Sequence, residues 1–131
     1  MSLMQWTDEK YATKVEVCDD QHKQLFDRVN ALNDAVKSND RADIGNRLDN
    51  LIDYVAVHFE TEERMMEERG YPKLDAHRQE HNLLVKICTD LQEKFHSGEA
   101  DIGESTMEFI KNWLDHHIPV IDKCYSPALS N

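Results

Sequence analysis

The 131-residue sequence is poor in residues that break or bridge a chain, with four glycines, three prolines and three cysteines. Cys18, Cys88 and Cys124 form no C-x-x-C pair and leave one thiol over, which argues against a disulfide framework. Cys88 falls on an apolar stripe and reads as a small core residue, whereas Cys124, beside Lys123, is the thiol placed to react. Basic residues are also scarce: 15 Lys and Arg against 26 Asp and Glu give a net charge of -11. Phosphate neutralisation needs clustered Lys and Arg, so nucleic acid is excluded as a partner, and a soluble, self-repelling monomer is expected. No stretch approaches the roughly 18 apolar residues of a membrane span, so membrane insertion is not expected. The opening "MSLMQWTDEKYATK" lacks the basic segment and apolar run of an export signal, which points to the cytoplasm. Strand-like alternation is absent throughout.

What remains is helical periodicity, punctuated by the few Gly and Pro. A first helix is predicted from Asp19 or Asp20, as N-cap, to about Lys37, with His22, Leu25, Phe26, Val29, Leu32 and Val36 facing inward. A second begins near Asp40 and turns Leu48, Leu51, Ile52, Val55, His58, Phe59, Glu62 and Met65 or Met66 inward, ending at Gly70. Gly45 is a weak point in its first turns. Tyr71 before Pro72 makes a corner, and a third helix spans roughly Lys73 to His96 and stops at Gly98. Asp101 with Glu104 resembles a capping box for a fourth, whose stripe is Met107, Ile110, Trp113, Leu114, His117 and Ile121. Long helices with short connections predict an all-α, antiparallel up-down-up-down four-helix bundle. The chain is the size of one domain, here divided into an ordered N-terminal arm (1–18), the bundle (19–123) and a short tail (124–131). Trp6, Tyr11, Val15 and Val17 are expected to pack the arm onto the bundle.

The inward stripes carry an anomaly. In "LDAHRQEHNLLVKIC" the positions that should be leucine are His77 and His81, spaced i, i+4. The other three helices repeat the substitution, with His22 on the first, His58 and Glu62 at i, i+4 on the second, and His117 on the fourth, followed by Asp122. The i+5 spacing of His117 and Asp122 turns about 140° on a regular helix, but Pro119 between them disrupts the hydrogen-bond ladder and can reset the turn. A lone inward histidine is ordinarily a hydrogen-bonded core residue. Five of them with two carboxylates would each cost roughly 1–3 kcal/mol or more without water. A metal resolves this, and imidazole with carboxylate suits iron, zinc, copper or nickel.

Counting donors gives the nuclearity. Seven side chains exceed the needs of a tetrahedral zinc or of a single octahedral ion, so two ions are implied. With both six-coordinate, five imidazoles, two bridging carboxylates and one bridging oxygen leave a single position open. Such a site takes one small ligand.

At these residues the chain resembles the hemerythrin family in its single-domain bacterial form. The family pattern is one His on the first helix, H-x-x-x-E on the second, H-x-x-x-H on the third and H-x-x-x-x-D on the fourth, and all four parts are present in order. They occur within "DDQHKQLF", "HFETEERMM", "GYPKLDAHRQEH" and "NWLDHHIPVIDKCY", over about Trp6 to Tyr125. The resemblance implies two iron ions with a bridging oxo or hydroxo group. His77, His81 and His117 would hold one, His22 and His58 the other, and Glu62 and Asp122 would span both. It also implies an apolar pocket of Leu25, Phe59, Trp113 and Ile118 over the open position. The function implied is reversible binding of dioxygen for storage, transport or delivery, with an oxygen-consuming enzyme as a possible recipient and no catalytic residues. His116 matches no ligand position.

Three rival readings fit parts of the pattern. H-x-x-E-H also fits the inverzincin zinc proteases, but Glu80 follows the polar edge of its helix. A ferritin-like di-iron oxidase or iron store needs two E-x-x-H motifs, and only Glu93 to His96 supplies one. An oxygen sensor shares the site, but no output domain is legible in the sequence.

Overall fold

The computed structural model describes residues 3–129, so residues 1 and 2 of the expected arm and 130 and 131 of the expected tail lie outside the described residues. Its elements are a short α1 (Asp8–Tyr11), the long helices α2 (Glu16–Ser38), α3 (Arg41–Glu68) and α4 (Leu74–Ser97), and α5 (Glu104–His116). The chain then continues without a break through a π-helical turn (His117–Ile121), a 3₁₀ turn (Asp122–Tyr125) and α6 (Ser126–Leu129). Among the described residues there is no strand.

Local chemistry sets the corners. Asn39 takes a left-handed conformation (φ 56°) to end α2, and the Asp40 carboxylate accepts from the Asp43 N–H to start α3. Gly98, at φ 85°, closes α4 in the conformation that only glycine adopts freely. With connections this short, successive helices run antiparallel, and α3 packs on α2 and α4 while α2 also packs on α5. The weak point expected at Gly45 is a close approach instead. A Cβ there would meet the rings of Phe95 and His96 at 3.3 Å, so its absence lets α3 and α4 come together.

Four sequence expectations require correction. The first long helix starts at Glu16 rather than after Asp19 or Asp20, and the Asp19 carboxylate accepts from the N–H and Oγ of Thr13 at 2.8 and 2.7 Å, closing the turn ahead of the helix. Val17 consequently lies on that helix and is 48% exposed rather than packed in the arm. At the fourth helix Gly103 occupies the N-cap with no side-chain bond, and Asp101 instead accepts from Arg41. Ile121 is half-buried, and Ile118 takes the core position.

The arm is tied down by chemistry as well as packing. Asn30 on α2 accepts from the Met4 N–H and donates to the Met4 carbonyl, both at 2.8 Å. Trp6 lies against Tyr11 and Phe26, and the Tyr11 hydroxyl donates to Asp115 on α5. A long apolar core, from Leu25 and Phe59 to Met107 and Ile110, fills one length of the bundle. A smaller cluster of Val15, Cys18, Met66, Tyr71, Tyr125 and Leu129 closes the other end. Between them lies the layer of inward histidines and carboxylates.

Asn30→Ala removes both arm bonds and leaves a part-buried backbone pair unsatisfied. It should cost about 1–3 kcal/mol in a denaturant melt and shift the Trp6 fluorescence toward solvent.

Candidate metal centre

Each long helix brings its share because its ligand positions fall on the stripe that hydrophobic burial turns inward. His22 enters from α2, His58 and Glu62 from successive turns of α3, His77 and His81 from successive turns of α4, and His117 from the end of α5. All are buried, and Glu62 and Asp122 are 0% exposed. The distortion expected at Pro119 is a π-helical turn: the Asp122 N–H bonds to the carbonyls of His117 and Ile118. The wider turn places residue i+5 above residue i, and His117 Nε2 and Asp122 Oδ1 stand 2.9 Å apart.

The two carboxylates divide their oxygens. Glu62 Oε1 faces His81 Nε2 at 3.3 Å and His77 Nε2 at 3.8 Å, and Asp122 Oδ1 faces His77 and His117, both at 2.9 Å. The opposite oxygens face the other pair of rings. Glu62 Oε2 is 3.1 Å from His22 Nε2 and 3.2 Å from His58 Nε2, and Asp122 Oδ2 is 3.0 Å from His22 Nε2. Donor atoms of Glu62, His77, His81, His117 and Asp122 thus gather within 4.8 Å, as do those of His22, His58, Glu62 and Asp122, with both carboxylates common to the two groups.

These contacts are close without being hydrogen-bonded throughout. Both Asp122 oxygens, Glu62 Oε1 and His77 Nε2 have no hydrogen-bond partner, and His81 Nε2 faces His117 Nε2 at 3.2 Å. Converging lone pairs of this kind are what a cation satisfies. The tautomers agree, because His58 Nδ1 reaches Gln21 Oε1 at 2.7 Å and His81 Nδ1 reaches Glu63 Oε2 at 2.9 Å. With Nδ1 donating, each Nε2 is left as a lone-pair donor, and the donor set fits two ions of the kind imidazole and carboxylate hold.

In the metal-free chain, protons do part of this work. Burial opposes charge on His22, but the Asp122 and Glu62 carboxylates, at 3.0 and 3.1 Å, outweigh it and push its pKa up to about 10. The same balance, with Asp122 foremost, raises His77 to about 9. Burial keeps His58, edge-on to His22 at 4.5 Å, neutral with a lowered pKa. Burial would raise both carboxyls, yet the surrounding imidazoles hold Glu62 and Asp122 below the usual carboxylate range. Two imidazolium ions therefore offset two carboxylates.

Residues 13–129 match the family model described as the Hemerythrin HHE cation binding domain. The chain belongs to the hemerythrin family. It is 49% identical over 130 residues to a bacteriohemerythrin of Methylococcus capsulatus, covering 99% of each chain. It is 30% identical to a myohemerythrin of Theromyzon tessulatum, covering 95% of this chain and 92% of that one. A crystal structure of wild-type hemerythrin superposes with a TM-score of 0.97 at 48% identity, over 99% of this chain and 100% of the other. With the hemerythrin family comes its function, dioxygen binding at a non-haem di-iron site, and the paired donor groups are the cluster able to hold the metal. No helix among the described residues is long and apolar enough to cross a membrane.

The expected pocket residues also have definite places. Leu25, Phe59 and Ile118 are buried; Phe59 stacks flat on His81 at 3.7 Å, and the half-buried Trp113 stacks on His117 at 4.2 Å. Leu25 and Trp113 also line a small apolar cavity of about 20 Å³ with Val29, Leu51 and Leu84. His116 is exposed, and Glu80 only approaches His117 Nδ1, at 3.8 Å. Sequence reasoning missed four contributors: Gln21, Glu63 with its partner Arg78 (3.0 Å), and Tyr125, whose hydroxyl donates to Glu62 Oε2 at 2.7 Å. Gln21 and Glu63 each adjoin a residue of the inward cluster, a signal the helical stripe alone could not raise.

Two outcomes follow from this geometry. The folded metal-free chain keeps protons on His22 and His77 that an unfolded chain releases near pH 6.5, so its stability should fall as pH rises from about 6.5 towards about 10, while affinity for metal rises over the same range. Melts of metal-free protein across that range, with proton release measured on metal addition, check both. Glu63→Ala, which frees His81 Nδ1, should weaken metal retention by roughly 10–100-fold in a chelator competition without loss of helicity.

Proposed function

We propose that this chain binds dioxygen reversibly, one molecule per iron pair, as a store or carrier that supplies an oxygen-consuming enzyme. His77, His81 and His117 would hold one iron, His22 and His58 would hold the other, and Glu62 and Asp122 would serve both. The observation that carries this reading is the division of oxygens, one from each carboxylate towards each group of rings. The group with His22 and His58 offers one imidazole fewer, and that side is where a small ligand would enter.

When bound, the iron pair supplies the electrons that dioxygen binding draws on. The protein's part is to hold the ligand set and keep the ligand dry. Stacking of Phe59 on His81 and Trp113 on His117 fixes two of the rings, and Glu63 and Gln21 fix the orientation of His81 and His58. Leu25, Phe59, Trp113 and Ile118 offer no hydrogen-bonding group to a water near the open position except the Trp113 N–H. A site of mostly neutral nitrogen donors favours reversible binding over oxidative turnover, so oxidase or peroxide chemistry is a minor activity.

Azide titration of the oxidised protein, alongside an iron assay, should saturate at one azide per two irons. Two tightly bound azides per pair would mean that a ligand in this assignment is missing. Leu25→Asn should speed autoxidation several-fold with iron content unchanged, because it brings a hydrogen-bonding group to the dry side. An optical spectrum of the reduced protein before air, in air and after oxygen removal tests reversibility itself.

A further inference from the structure

The cluster that closes one end of the bundle couples a thiol and a phenol to the carboxylate layer. On one side of the histidine layer, Leu25, Val29, Phe59 and Ile118 lie in a mainly aliphatic core that also holds Tyr11 and Met107, with Trp113 packed against it. On the other, the closing cluster gathers Cys18, Met66, Tyr71 and Tyr125, side chains that lose electrons readily. Tyr125 and Cys18 are both 0% exposed. The Tyr125 hydroxyl donates to Glu62 Oε2 at 2.7 Å, and the Cys18 thiol lies against the same phenol.

A phenol bonded to a carboxylate gives up an electron more readily than a free one, because its proton can move along the existing hydrogen bond. The cysteine beside it can then supply a second electron without any group reaching in from solvent.

We propose that Tyr125 and Cys18 form an internal reductant for hydrogen peroxide arising at the metal centre, and that the reaction joins them through a thioether bond between Sγ and the ring carbon next to the hydroxyl. The proposal rests on the di-iron reading above. Tyr125 loses one electron, and its phenolic proton passes along the hydrogen bond by way of the Glu62 carboxylate to the peroxide, leaving Glu62 ionised. Cys18 loses the second electron and its thiol proton. The two radicals combine, the C–S bond forms, and the hydrogen displaced from the ring carbon restores the phenol. Peroxide takes the two electrons and two protons, its O–O bond breaks, and two waters leave. The protein is lighter by two hydrogens, and the centre is spared an oxidant that would attack its imidazoles.

The test uses the full chain loaded with iron, assayed for metal, treated with hydrogen peroxide and examined by intact mass and peptide mapping. The expected result is the loss of two hydrogens and a peptide joining residues 18 and 125, absent from metal-free protein and from Cys18→Ala and Tyr125→Phe. Cys124 is exposed, and its direct oxidation is recognised because it occurs in the metal-free control as well. If Cys18→Ala folds poorly, Cys18→Ser serves, with its helicity and iron content checked. Recovery of separate peptides for residues 18 and 125 from iron-loaded protein overturns the proposal, whether those residues are unmodified or carry added oxygen, and so does oxidation confined to Met66. A chain that takes up no iron pair overturns the di-iron reading and this proposal together, whereas intact iron without the joined peptide overturns this proposal alone.

Discussion

Two carboxylates with no access to solvent sit in the middle of the bundle, and the rest of the structure answers to them. An isolated buried charge is among the most costly features a small domain can carry, and Glu62 and Asp122 bring two such charges into one layer. Each long helix contributes imidazole to that layer. The apolar clusters above and below keep water from relieving the charge, so compensation must come from protons or from cations. That requirement makes cation binding and fold one problem in this chain rather than two.

The inward cluster was legible because helical periodicity is strict. A histidine at a core position of α4 stands out against Leu74, Leu84 and Phe95, and the same contrast recurs on α2 and α3. The bundle, its reversals at Asp40 and Gly98 and the disturbance at Pro119 followed from the same pattern and from turn chemistry. What stayed hidden involves contacts between residues distant in sequence. Asp19 looked like a helix cap, but Thr13 claims it and the helix starts earlier. Tyr125 lies beyond the last stripe and reaches Glu62 only because the chain after Pro119 winds differently. Glu63 stands in a run of glutamates, where nothing local separates the one that grips His81 from those facing water.

The cluster is also held in place by groups that never touch a metal. Flat stacking of Phe59 on His81 and of Trp113 on His117 restrains ring rotation, and Nδ1 contacts fix the tautomers. A donor set arranged in advance loses little rotamer freedom on binding, which favours retention of the cation. Trp6 brings the arm into the same scheme by stacking near His22, so the segment ahead of the bundle helps shield one side of the layer.

The π-helical turn at His117–Ile121 acts as a phase shift in the last helix. A regular helix would need one residue fewer to bring His117 and Asp122 into line, and the extra residue rotates everything that follows by about a quarter turn. That rotation points Tyr125 and Leu129 into the bundle end instead of along its side. Spacing in this segment is therefore read by counting residues. A substitution at Val120, exposed on the outer face, can be absorbed, but a single deletion beside it would move both the carboxylate below and the plug above out of register.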